Sequence, residues 1–160
     1  MSAFAAAWGV VGVSLSGHAS APLYGVALLA TAAIILTASR TVEALPPSPE
    51  EHARRGRIVG LASGAEALAI FLAINVLANT SNGDLAAPVV AIIMGLHYLP
   101  LAHWLPAPLY YLTAAALVGL GMVGFVIADV NQRILTVSTG AASALWATCV
   151  VVLAFGNRRW

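Results

Sequence analysis

The chain has no lysine, one cysteine (Cys149) and very little charge, with seven arginines and six acidic residues among 160. Each shortage excludes something. Without lysine there is no Schiff-base chemistry on a carbonyl substrate or chromophore. A single cysteine has no disulfide partner within the chain and no metal-type spacing, and Cys149, inside the last apolar run, reads as a small core residue. A net charge of +1, with no basic stripe interleaved with aromatics, argues against nucleic acid as a partner. Phosphate-cradling glycine loops, zinc-type His/Glu spacings and a nucleophile elbow are also missing, so neither a metal nor another cofactor is expected.

What is present is apolar: 61% of the residues are hydrophobic and the mean hydropathy is +0.92. A soluble domain carries about 25% charged residues against 8% here, which marks an all-α, polytopic transmembrane helix bundle with lipid as its solvent. A hydrocarbon core of about 30 Å needs about 20 apolar residues in a helix, and five clear spans meet that length, at about 22–39, 58–79, 86–104, 108–128 and 133–156. Residues 2–16 make a sixth, short helical segment of roughly 22 Å, either a tilted span or an interfacial one. The whole of 1–160 is expected to be one integral-membrane domain.

Residues 40–57 hold Pro46, Pro47 and Pro49 with three acids and four of the arginines, and read as a loop. Arg40, Arg54, Arg55, Arg57, Arg158 and Arg159 fall on one side of the alternating spans and Arg133 alone on the other. The positive-inside rule therefore sets loop 40–57 and the C-terminus in the cytoplasm, with the chain in the cell membrane. Helices in lipid associate through small residues, so Gly60-x-x-x-Gly64, Gly119-x-Gly121-x-x-Gly124 and Gly140-x-x-x-Ala144 are expected at helix contacts, within one chain or between copies.

Trp104, Tyr110 and Tyr111 lie around a proline-rich reversal and read as an interfacial belt. His97 is seven residues before Trp104, roughly 10 Å along the helix, and Glu66 is nine residues after Arg57, roughly 14 Å from the same end. The two spans are consecutive and antiparallel, so the acid and the imidazole sit at similar depth. A charged carboxylate at the centre of a membrane helix costs about 2.5–3.5 kcal/mol, so such a group faces an interior or a cavity. Burial disfavours the charged form of each group and mutual attraction favours it. Either the pair shares one proton, as transport or acid–base catalysis needs, or it joins two helices by a satisfied hydrogen bond.

Around this pair, Pro100 cannot donate to the carbonyl of Leu96, leaving that group open to a water or ligand. Ser63, one turn before Glu66, shares its face. Tyr98, Trp104 and the mid-span Trp146, with Trp8 or Tyr24, are expected to wall an aromatic ligand pocket; packed core is the alternative for Trp146. Asn75 falls about 180° from Glu66 and His103 about 120° from His97 on a regular helix, which makes both poor partners for the pair and argues against haem. Asp129 and Arg133, four apart, are expected to form a helix-end ion pair or cap.

The sequence thus points to Glu66 and His97 as the chemical pair and to Ser63, Leu96, Tyr98, Trp104 and Trp146 as ligand-binding residues. The expected role is binding or carrying a small lipophilic or amphiphilic molecule with proton coupling, in a possible homodimer. The alternatives are a membrane enzyme doing acid–base chemistry on a lipid, of isomerase or cyclase type, and a structural subunit.

Overall fold

A backbone that leaves water must satisfy its own N–H and C=O groups, and apolar runs of this length do so as helices. A computed structural model describes residues 10, 14, 29–37, 48–105 and 107–155, and among them there are helices and no strand. We label them α1 (29–37), α2 (Pro49–Asn79), α3 (Ala86–Trp104), α4 (Leu109–Val126) and α5 (Val130–Phe155). Four stretches are long and apolar enough to cross a membrane: Pro49–Asn79, Gly83–Trp104, Leu109–Val126 and Val130–Ala154. Of the expected span 22–39, only 29–37 is described, and it is helical. The expected segment 2–16 lies outside the described residues except for Val10 and Ser14, both helical, and so do Trp8 and Tyr24.

The expected loop 40–57 needs correction, because residues from Pro49 onward are the first turns of α2. Ser48 caps the helix, its hydroxyl accepting from the Glu51 N–H at 3.3 Å, and Pro49 follows at the first helical position. Glu50 and Glu51 complement the positive end of the helix, and Glu51 pairs with Arg55 one turn on.

α3 and α4 make the most extensive interface, α5 packs on both, and α2 packs mainly on α3. Glycine sets how closely these helices approach. A Cβ on Gly95 would lie 2.9 Å from the Ala114 carbonyl oxygen, and one on Gly121 would lie 2.7 Å from that of Pro88. Gly124 meets Val137, and Gly140 meets Leu120, at 2.7 Å by the same measure. Met94, Tyr98, Leu101, Leu117 and Leu145 fill the core between them. Gly60, Gly64 and Gly119 have nothing within 4 Å, so among the described residues they are not contacts within the chain, contrary to one of the two roles expected for all three.

At the end where α2 turns into α3, an ion cluster joins two reversals. Of the two roles expected at Asp129 and Arg133, the cap forms and the ion pair does not: the Asp129 carboxylate caps α5 through the Gln132 N–H at 2.7 Å, and Arg133 reaches Asp84 instead, with Nη1 2.6 Å from Oδ2. Nε and Nη2 of Arg133 both donate to the Ile127 carbonyl, at 3.0 and 2.8 Å.

Candidate functional site

Toward the other end of the bundle, a cavity of about 400 Å³ opens between α2, α3 and the start of α4. Its shape follows from helical spacing. From Glu66, the positions one and two turns back (Ser63, Val59) and one turn on (Ile70) share its face, while Met94 and Leu101 flank His97 at the same intervals on α3. Tyr98, Leu105 and Tyr110 complete that wall.

His97 Nδ1 lies 3.2 Å from the carbonyl oxygen of Ala62 and 3.6 Å from Oε2 of Glu66. Because a carbonyl only accepts, Nδ1 carries hydrogen in the shorter contact. Ala62 is one turn before Glu66, so a single imidazole spans the backbone of one turn of α2 and the carboxylate of the next. The two side chains are sheltered to a similar degree, with 9% of His97 and 10% of Glu66 exposed. At 3.6 Å the carboxylate is beyond hydrogen-bonding distance of the ring, and no other donor reaches it among the described residues. Glu66 is part of the cavity lining.

The rim is different. Val59, Ser63 and Ala67 are all exposed, so the cavity is a cleft reached from the outer face of α2. Opposite the rim stand the tyrosines: the Tyr98 ring meets His97 edge-on with centroids 5.4 Å apart and inclines 59° to Tyr110 at 5.6 Å.

Of the residues singled out from the sequence, Glu66, His97, Tyr98 and Ser63 line this cleft and three others do not. Leu96 and Trp104 point outward, 51% and 54% exposed: Leu96 lies about 100° round α3 from His97, and Trp104 is the last residue of the helix. Trp146 packs against the core, its indole N–H donating to the Thr31 hydroxyl at 3.3 Å and tying α5 to α1. Asn75 satisfies its amide on its own helix, at the Phe71 carbonyl 2.7 Å away. Tyr110, assigned from sequence to the interfacial belt, instead packs on Tyr98, whereas Trp104 and Tyr111 are exposed as a belt requires. The unpredicted apolar lining was marked by its helical spacing from Glu66 and His97; nothing in the sequence marked Tyr110 as part of the lining. Among the described residues no three His, Cys, Asp or Glu side chains lie close enough together to hold a metal ion.

The arrangement supplies one acid, one imidazole, two phenols and one hydroxyl on an apolar wall, which suits holding a polar head beside a hydrophobic body or moving a proton at that head. Compared with protein-family models, curated proteins and solved structures, the chain matches none.

Proposed function

We propose that this is a small multi-pass protein of the cell membrane, with the start of α2 and the C-terminus cytoplasmic, that binds or carries a small lipophilic or amphiphilic molecule with proton coupling. Glu66 and His97 are the titratable site, and Tyr98 and Tyr110 wall the pocket beside it. The observation that carries this reading is a sheltered carboxylate and imidazole, 3.6 Å apart, on the wall of a 400 Å³ cleft. A pair serving only to join two helices would be closed over and its carboxylate bonded; here the acid borders open volume. Ligand pockets run from about 300 to 1,000 Å³, so the space suits a head group and part of a tail.

A second reading, acid–base catalysis on a lipid, draws on the exposed rim at Val59, Ser63 and Ala67, which is where a membrane-dissolved substrate would pass. Glu66 would then be the acid and His97 its partner. Pairing of copies belongs to the first reading: the α2 face bearing Gly60 and Gly64 has nothing within 4 Å of either glycine, room for a second helix at backbone distance.

The test uses purified protein in nanodiscs and a panel of twelve-carbon amphiphiles, an alcohol, a carboxylic acid and a tertiary amine. At least one binds saturably to the wild type and loses at least tenfold in affinity in Glu66→Gln and His97→Ala at unchanged melting temperature, with proton uptake or release accompanying wild-type binding. Loss of melting temperature alone, with no saturable binding of any probe, assigns the pair to helix joining and overturns the proposal.

A further inference from the structure

Resting on that reading, we infer that the cleft takes a cationic amphiphile, a single-tailed amine whose protonated nitrogen sits against the Glu66 carboxylate while its tail leaves over the α2 rim.

The charge inventory of the cleft comes first. Its lining holds one carboxylate and neither lysine nor arginine. The nearest described arginines are engaged or outside: Arg133 is tied to Asp84 at the far end, and Arg54, Arg55 and Arg57 are exposed on the first turns of α2. An anionic head would therefore meet Glu66 with no fixed cation to hold it, whereas a cationic head meets its complement.

The second argument is hydrogen bonding. A carboxylate accepts at about four lone-pair sites, and Glu66, nine-tenths sheltered, receives no donor within 3.5 Å among the described residues. The one candidate, His97 Nδ1, is nearer the Ala62 carbonyl and held there. An ammonium N–H supplies what this acceptor lacks, and a sheltered charge gains most from a charge-assisted bond. An alcohol supplies a donor but no charge.

The third is the wall. Tyr98 and Tyr110 meet at a 59° tilt with their ring centres 5.6 Å apart, forming an aromatic corner in the same cavity as the carboxylate. Aromatic faces attract cations by roughly 0.5–2 kcal/mol, more where water is excluded. The rest of the lining, including Val59, Ile70, Met94, Leu101 and Leu105, is hydrocarbon or thioether and suits methylene groups. With Val59, Ser63 and Ala67 exposed, a tail too long for the cavity continues outside it.

Binding and protonation then compete for one carboxylate. When the protonated amine arrives, a hydrogen ion carried by either member of the pair leaves to water, and the ammonium becomes the partner of the Glu66 carboxylate. The other titratable groups facing Glu66 are Tyr98 of α3 and Tyr110 of α4, with Cys149 of α5 close to both phenols.

The experiment measures N,N-dimethyldodecylamine, dodecanol and dodecanoate against the full chain in nanodiscs of zwitterionic lipid at several pH values. The amine is expected to bind at least tenfold more tightly than either other probe, to tighten several-fold per pH unit while the pair deprotonates and the amine stays charged, and to lose that advantage in Glu66→Gln. Glu66→Asp retains part of it, and Tyr98→Leu lowers amine affinity several-fold more than it lowers that of dodecanol. If dodecanol or dodecanoate binds as tightly as the amine and still depends on Glu66, the cationic class is overturned and the binding site stands. If no probe binds saturably, the site itself falls. Should Glu66→Gln not fold, the pH dependence on wild type and the Glu66→Asp ratio decide alone.

Discussion

Two polar residues are buried in unlike ways. Arg133, 7% exposed, spreads its guanidinium over the Asp84 carboxylate and the Ile127 carbonyl, so every nitrogen has a partner and the group is structural. Glu66 has one distant imidazole and a cavity. The difference is testable on the arginine, since a planar fork is what a lysine cannot reproduce. Arg133→Met is expected to cost about 2–3 kcal/mol of stability, Arg133→Lys roughly half of that, and Asp84→Asn about 1 kcal/mol because Asp84 remains partly hydrated. Thermal melts in detergent check the order; equal melts for all three would show that the cluster does not hold the two turns together. Thr113 and Thr148 repeat the satisfied pattern on a smaller scale, their hydroxyls 2.7 Å apart between α4 and α5 while Thr148 also bonds the Ala144 carbonyl.

Helices differ in what their glycines do. Gly121 sits against the Pro88 carbonyl and Ile92, so Gly121→Ala forces backbone apart and is expected to destabilise the bundle by about 1–3 kcal/mol. Gly64 faces open space, and Gly64→Ala is expected to be neutral or to add up to about 1 kcal/mol through helix propensity. Melting both variants beside the wild type checks the contrast, which fails if they shift alike. Sequence could not separate these two glycines, because both lie in small-residue patterns and only a neighbour tells them apart. It could separate apolar runs from turns, and so α3 runs from Ala86 to Trp104 as expected. The common depth of Glu66 and His97 was also readable, since it needs only the helical rise and the antiparallel order of two spans. The start of α2 was lost to its composition: prolines, acids and arginines resemble a loop, although Ser48 followed three residues later by Glu51 is a capping pattern. Asp84 was missed as the partner of Arg133 because 49 residues separate them. Trp146 was drawn toward the pocket by its mid-span position, whereas Thr31 supplies the acceptor its indole needs.

At the scale of the molecule, the α3–α4–α5 side is closely packed and α2 is the outlying helix, with Leu61, Leu68, Phe71 and Leu72 exposed on it at 70, 59, 63 and 54%. In lipid such a face meets acyl chains or another protein surface. If copies pair there, Gly60→Cys in a Cys149→Ser background forms a disulfide-linked dimer in membranes under mild oxidation, while Val126→Cys, 84% exposed on α4, does not. Linkage at both sites or at neither would remove α2 as the pairing face.

The Arg133–Asp84 clamp lies beside the short turn from α2 to α3, and the cleft lies toward the opposite tip of α2. Were α2 to swing about that turn, the arm of about 30 Å from Thr80 to Val59 would convert about 5° into roughly 2–3 Å at the tip. A motion too slight to disturb the anchored end would change the width of the doorway at Val59 by about the radius of a methyl group.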